Sequence, residues 1–141
     1  KELNCEVIST DLVRKQGVKE ENVWKVVYQK CADALNNNID AIYDATNITP
    51  KVRKRLFDEV EKLGAMPKVG AYYFITDVKV CYERVKLRNE DKDELYLPLE
   101  VVFSYNEKLI EPSFEENFEF IKKVEDGKII EVKYNEKKYN N

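Results

Sequence analysis

Short apolar runs alternate with helical patterns along this chain, and that alternation constrains the fold more than any other feature. Runs at 5–9, 39–43 and 71–76 are typical of buried strands, because each is a few residues long and rich in β-branched or aromatic side chains. Apolar residues recur every three or four positions over 20–35 and 50–64, as they do in helices. The pattern predicts an α/β domain with a mostly parallel sheet and crossover helices.

The second half of the chain predicts further elements of the same domain. Helices are expected from Asp77 and from Pro98, and residues 118–134 read as a β-hairpin around an Asp-Gly turn. Residues 89–97 are highly charged and predict a mobile lid loop. Residues 135–141 are polar and predict a frayed tail. With no repeat and no long linker, residues 1–141 are expected to form one domain.

Composition excludes several kinds of chemistry. The chain has no histidine and three isolated cysteines, which removes His-based metal sites and Ser-His-Asp hydrolysis, and predicts no metal-ligating set. Its net charge of -3 argues against a strongly basic nucleic-acid wrapper. No apolar run approaches the roughly 20 residues that span a bilayer, and no signal-peptide pattern is present. We therefore expect a cytoplasmic protein without a membrane partner.

Polar residues follow the first two predicted strands, where ligands bind in open α/β sheets. Asp11 and Arg14 follow the first strand, and Asp44, Thr46 and Asn47 follow the second. Carboxylates and hydroxyls at one sheet edge are suited to a metal–phosphate site, because they supply hard oxygen ligands for Mg²⁺. A carboxylate there can also act as the base that deprotonates an alcohol. The same residue types are ordinary helix caps and turn residues, so the structural interpretation stays open beside the catalytic one.

Two arginines form a second candidate cluster. Arg84 and Arg88 lie four residues apart on one predicted helix, next to the charged loop. The planar guanidinium donates two parallel hydrogen bonds to phosphate, so the pair suits a clamp on a nucleotide. The alternative is a solvent-exposed helix face that pairs with neighbouring glutamates. The basic run 51–55 gives only a weak indication of a nucleic-acid groove.

A resemblance to a known family rests on several short stretches in a fixed order. They are STDLVR at 9–14, IYDATN at 42–47 followed by PKVRKR at 50–55, VCYERVKLR at 80–88, and EPSFEENF at 111–118. Over about residues 3–124 the chain resembles the P-loop kinases related to phage-type polynucleotide kinase, a group also labelled AAA-type or zeta-toxin-like ATP-binding proteins. The resemblance implies a P-loop-NTPase-like three-layer fold and transfer of the ATP γ-phosphate to a hydroxyl acceptor, with Mg²⁺.

The same resemblance implies roles for the candidate residues. Asp11 would accept the proton of the attacking hydroxyl, and Arg14 would bind the acceptor phosphate or steady that base. The segment Asp44, Thr46 and Asn47 would lie near the phosphates. The remaining two candidates, Arg84 and Arg88, would bind the phosphates of the donor ATP from the lid. The acceptor would be a nucleic-acid end or a small molecule.

One family motif is missing from these residues. P-loop kinases hold phosphate with a GxxxxGK[ST] loop, and the 4 glycines of this chain lie elsewhere. The resemblance therefore implies that the first, P-loop strand is missing from residues 1–141, which alone would bind ATP poorly. The strand would lie upstream, or a strand-supplying partner or a homo-oligomer would provide it, or the flanking strands would collapse together. The alternative is a non-catalytic binding or assembly module that keeps the kinase-like fold.

Overall fold

The computed structural model describes residues 5–139, which form a mixed α/β fold with parallel strand pairing, as predicted. None of the helices within this part of the chain is both long and apolar enough to cross a membrane. The elements, in chain order, are β1 (Cys5–Ser9), α1 (Thr10–Lys15), α2 (Glu20–Asn36), β2 (Asp40–Asp44), α3 (Pro50–Lys62), β3 (Ala71–Phe74), α4 (Val78–Glu90), α5 (Leu99–Lys108), a 3-10 turn (Phe114–Glu116), β4 (Phe120–Glu125), β5 (Lys128–Tyr134) and α6 (Glu136–Tyr139).

The contacts divide the chain into two compact units. The first reaches Asn47 and includes Lys51–Pro67, and the second holds Ile48–Pro50 and continues from Lys68. Each unit contains its own sheet: β1 with β2 in the first, and β3, β4 and β5 in the second. The candidate residues that follow β1 and β2 belong to the first unit, and Arg84 and Arg88 belong to the second.

The first unit is a parallel strand pair covered by α2. The register of β1 and β2 runs from Cys5 opposite Asp40 to Ser9 opposite Asp44. Apolar residues at helical spacing turn one face of α2 toward these strands, and the helix ends where Asn38 adopts a left-handed conformation, φ 58°. The largest fully buried side chains of the core are aliphatic: Ile8, Val23, Val27 and Val60.

The second unit contains the sheet β3-β4-β5 and the helix pair α4–α5. β3 runs parallel to β4, and β4 forms an antiparallel hairpin with β5. Asp126 and Gly127 both have positive φ, as a tight two-residue hairpin turn requires. The β4–β5 register shifts beside Val124, which leaves Ile130 as an extra residue in a bulge.

Three features differ from the sequence-based expectation. A short helix, α1, follows β1 directly, because the Ser9 hydroxyl caps it by accepting a hydrogen bond from the Leu12 amide. The spacing of the apolar residues after Asp77 predicts a helix whose inward face holds Val80, Cys81 and Val85 or Leu87. None of the described residues of α4 is buried, however, and the helix packs on α5. The predicted lid starts too early, since residues 89 and 90 belong to α4.

The tail begins with a capped helical turn. Asn135 is buried, and its side-chain amide donates to the carbonyl of Phe118 at 3.0 Å. Its carboxamide oxygen accepts from the Lys137 amide at 3.2 Å, so it caps α6. Residues 140 and 141 lie outside the described residues, and the fraying of 135–141 stays a prediction.

Neither sheet continues into the other. Among residues 5–139, β2 pairs only with β1, and β3 pairs only with β4. A complete five-stranded sheet is thus absent from the described residues, and the placement of a P-loop strand stays a prediction.

Candidate functional site

The carboxyl ends of β1 and β2 lie side by side in the first unit. Ser9, the last residue of β1, is the register partner of Asp44, the last residue of β2. Because the strands are parallel, the segments that leave them start at the same edge of the sheet. Asp11 lies two residues beyond Ser9, in the first turn of α1, and its side chain is 45% exposed. The structure thus starts the Asp11 and Asp44 segments from neighbouring strand ends, and the convergence of their side chains stays a prediction.

Arg14 links the candidate base to the next helix. Its Nη1 donates to Oδ1 of Asp11 at 3.1 Å, while Nε and Nη2 donate to the two carboxylate oxygens of Glu20 at 2.9 and 2.8 Å. The hydrogen bonds from Arg14 lower the pKa of Glu20, and those to Glu20 raise the pKa of Arg14. The guanidinium therefore orients the Asp11 carboxylate, and Glu20 is a positioning residue that the sequence analysis missed.

A buried arginine binds the backbone of the loop that follows β2. Asn47 is half-buried in a left-handed conformation, φ 47°, and its carbonyl accepts a hydrogen bond from Nη1 of Arg53 at 2.8 Å. Arg53 is only 6% exposed, whereas Asp44 and Thr46 are exposed. The sequence analysis considered the basic run 51–55 only as a weak indication of a nucleic-acid groove and so missed the buried Arg53. Arg53 lies seven residues, or about two helical turns, before the buried Val60 and therefore on the same face of the helix. That spacing is the sequence signal that indicates burial of Arg53.

The core beneath this edge supplies no base at neutral pH. Burial is the main cause that raises the pKa of Tyr43 and of Tyr28, and it raises the pKa of the Cys31 thiol to about 11. All three groups stay protonated near neutrality. With no histidine in the chain, carboxylates are the candidate bases.

The two lid arginines belong to the second unit and differ in environment. Arg84 is exposed on α4. Arg88 is half-buried, and its Nε donates to the carbonyl of Leu95 at 2.8 Å. Next to it, the Asn89 side chain makes two hydrogen bonds with the backbone of Leu97, at 2.7 and 2.9 Å. These bonds tie the charged segment to α4, and Asn89 is a third residue that the sequence analysis missed. The convergence of the arginines with Asp11 and Asp44 stays a prediction.

The donor groups at the edge of the first unit are compatible with magnesium. Asp44 and Thr46 offer a carboxylate and a hydroxyl, the hard oxygen ligands that Mg²⁺ prefers. Within residues 5–139 no three carboxylate or thiol side chains gather into a metal cage. Mg²⁺ is usually held by one or two carboxylates together with substrate phosphates, so this donor set fits a shared metal–phosphate site.

Comparison with protein families decides the broader assignment. A family model described as an AAA domain matches residues 1–112. The chain belongs to the AAA domain family. This family is P-loop NTPase-like, which confirms the coarse resemblance stated above. No curated protein matches the chain.

The matched region of this AAA domain includes every candidate residue of both units and ends before the hairpin. P-loop NTPase-like families of this kind generally bind a nucleotide together with Mg²⁺. The match therefore favours a nucleotide-related role for the edge formed by β1 and β2.

Proposed function

We propose that this AAA-family chain belongs to an ATP-dependent phosphotransferase that moves the γ-phosphate to a hydroxyl acceptor, in the manner of phage-type polynucleotide kinases. The observation that carries the proposal is the parallel register of Ser9 with Asp44, which starts the Asp11 and Asp44 segments at one sheet edge. The family match over residues 1–112 supports a nucleotide as the donor.

In the proposed reaction, the Asp11 carboxylate takes the proton of the acceptor hydroxyl while the oxygen of that hydroxyl forms a bond to the γ-phosphorus. The bond from that phosphorus to the β–γ bridging oxygen breaks, and ADP leaves. Arg14 holds Oδ1 of Asp11 and so fixes the direction of the carboxylate. This arrangement favours the base-steadying role for Arg14 over acceptor-phosphate binding, because all three of its nitrogens already donate to carboxylates.

The remaining candidates would stabilise the charge of the donor. Asp44 and Thr46 would hold Mg²⁺, which when bound neutralises charge on the phosphates. Asn47 shapes the loop that presents them, since Arg53 holds its carbonyl. Arg84 and Arg88 would bind phosphate oxygens from the lid through their planar guanidinium groups.

Transfer of labelled γ-phosphate from ATP tests the proposal. The chain is assayed alone and fused behind a strand and a glycine-rich loop ending in Gly-Lys-Ser, with 5′-hydroxyl oligonucleotides and small alcohols as acceptors. We expect transfer by the fusion, and a loss of about 100-fold or more in Asp11→Asn. Asp33→Asn is the matched control, because Asp33 is an exposed aspartate on α2 whose Oδ1 bonds Gln29.

Two results would count against this function. Full activity in Asp11→Asn would overturn the assignment of the base. A fusion that binds Mg-ATP yet transfers phosphate to none of the acceptors would favour the alternative, a non-catalytic binding or assembly module. One observation favours that alternative specifically: among the described residues, both β2 and β3 have a strand neighbour on one side only.

A further inference from the structure

The segment between α4 and α5 is fastened to the last turn of α4 by two neighbouring side chains. Nε of Arg88 donates to the Leu95 carbonyl at 2.8 Å. Nδ2 of Asn89 donates to the Leu97 carbonyl at 2.7 Å, and Oδ1 of Asn89 accepts from the Leu97 amide at 2.9 Å. Each of these bonds joins residues seven or eight positions apart in the chain, so together they close a loop around the charged segment.

The charged segment cannot hold its conformation by packing. Residues 90–94 comprise four carboxylates and one lysine, and all five residues are exposed. A stretch of this composition buries too little apolar surface to offset its loss of conformational entropy. Burial increases only at Leu95 and Leu97, which are half-buried and accept the bonds from α4. The far end of the segment is therefore the part through which α4 can hold it.

Asparagine is suited to this position because its side-chain amide carries a donor and an acceptor on one planar group. Asn89 uses both, and so binds the amide and the carbonyl of Leu97 at the same time. An ionised aspartate would lack the donor, and an alanine would lack both groups. Because Asn89 is half-buried, its two bonds are partly shielded from competition by water.

We propose that Asn89 is a positioning residue for Arg88. By holding Leu97, it keeps the Leu95 carbonyl, two residues away, within reach of Nε of Arg88. The guanidinium is planar, so a bond at Nε also fixes the directions of both Nη groups. The inference rests on the proposed function, in which Arg88 binds phosphate oxygens of the donor. An arginine that is oriented before the nucleotide arrives loses less conformational freedom on binding.

Proton exchange at Nε of Arg88 tests the positioning in residues 1–141 without any nucleotide. In NMR spectra of the arginine side chains, we expect the Arg88 Nε–H to exchange with water more slowly than that of the exposed Arg84. Asn89→Ala should remove this difference. Glu90→Ala, at the exposed end of the same helix, is the matched control and should preserve it. Equal rates in the wild-type chain, or an Arg88 Nε–H that stays protected in Asn89→Ala, would overturn the proposal.

Asn89→Asp serves as a second variant where the alanine variant fails to fold. Its carboxylate can still accept from the Leu97 amide but cannot donate to the Leu97 carbonyl. Exchange at Nε of Arg88 should again accelerate, and unchanged protection would contradict the proposal.

Kinetics of the fusion that carries the glycine-rich loop test the consequence for the reaction. We expect Asn89→Ala to lower kcat/KM for ATP by about two- to tenfold, the penalty of ordering one flexible side chain on binding. In an Arg88→Ala background it should lower kcat/KM no further, because the two residues act as one unit. A general structural defect would act in both backgrounds, so additive losses would overturn the inference.

Failure of this inference and failure of the proposed function give different results. A harmful Arg88→Ala beside a harmless Asn89→Ala would refute the positioning alone. An Arg88→Ala variant with unchanged kcat/KM would refute donor binding by Arg88, and the positioning role with it. The exchange measurement needs no nucleotide, so it decides whether Asn89 orients Arg88 even where the fusion transfers no phosphate.

Discussion

Arg14 and Glu20 form a two-point ion pair in which Nε and Nη2 each donate to one carboxylate oxygen, at 2.9 and 2.8 Å. The pair spans the turn that joins α1 to α2 and so fixes the guanidinium whose third nitrogen reaches Asp11. The direction of the candidate base therefore depends on a carboxylate that itself lies on the next helix. Glu20 holds the guanidinium of Arg14, and through it the direction of the Asp11 carboxylate, and is not expected to touch the substrate.

Glu20→Gln should remove a pH-dependent contribution to stability. Since the folded state lowers the pKa of Glu20, the contribution is present above the ordinary glutamate pKa of about 4.3 and is lost as the pH falls through the lowered value. Urea unfolding should therefore show the variant less stable than wild type at pH 7, and the gap should close as the pH falls below the ordinary glutamate range. Glu21→Gln is the control, because it removes the same charge from the first turn of α2.

Arg53→Met should destabilise the first unit, because it removes the hydrogen bond to the Asn47 carbonyl while keeping an unbranched side chain in the buried position. Hydrogen bonds from a charged group contribute about 1.5–3 kcal/mol, so we expect a loss of about 2 kcal/mol in urea unfolding. Arg55→Met, at an exposed position on the same helix, should cost much less. Equal losses would show that the bond to Asn47 is unimportant.

Local sequence signals predicted those elements whose residues have a strong preference for one conformation. Residues 5–9 form β1 as expected, and the asparagines after α2 end that helix through the left-handed Asn38. The parallel pairing that sets the end of β1 beside the end of β2 followed from the alternation of strands and helices, whereas the proximity of Asp11 to Asp44 stays a prediction. These features depend on neighbours in sequence or on parallel strand order, both of which a pattern reveals.

Features set by tertiary contacts were not predictable in the same way. The partner of Arg14 is chosen by the turn between α1 and α2, and the burial of Arg53 by the loop that packs over it. The apolar residues of α4 suggest a buried face, yet the helix packs along α5 and leaves Leu87 exposed. Apolar spacing shows which face a helix could bury, but only packing decides how much of it is covered.

Cys31 should be the slowest of the three thiols to react in the native chain. Burial, with a smaller effect of the Glu6 carboxylate, raises the pKa of Cys31 to about 11, so its reactive thiolate is scarce at pH 8. Cys5 and Cys81 are half-buried and should be labelled first by iodoacetamide, as mass spectrometry would show. In urea all three should react alike. Rapid native labelling of Cys31 would contradict the packing of α2.

Asn89→Ala should release the segment that follows α4. The side chain bonds both the amide and the carbonyl of Leu97, and the loss of two such bonds costs about 1–3 kcal/mol of local stability. Hydrogen exchange at the Leu97 amide should accelerate accordingly. Glu90→Ala, at the exposed end of the same helix, should leave that rate unchanged. An unchanged rate in Asn89→Ala would mean that the Leu97 amide is protected by other contacts.

Gly70→Ala should destabilise the second unit for steric reasons. A Cβ at this position would overlap the ring of Phe120, which packs edge-on against Tyr72 with centroids 5.8 Å apart and lies 4.8 Å from Nζ of Lys122. Displacing the ring disturbs both contacts, and overpacking of this kind costs about 1–3 kcal/mol. In a Phe120→Leu background the smaller side chain leaves room, so the same substitution should cost less. Urea unfolding of the four variants in this double-mutant cycle measures the coupling, and strict additivity would show that Gly70 is not required by Phe120.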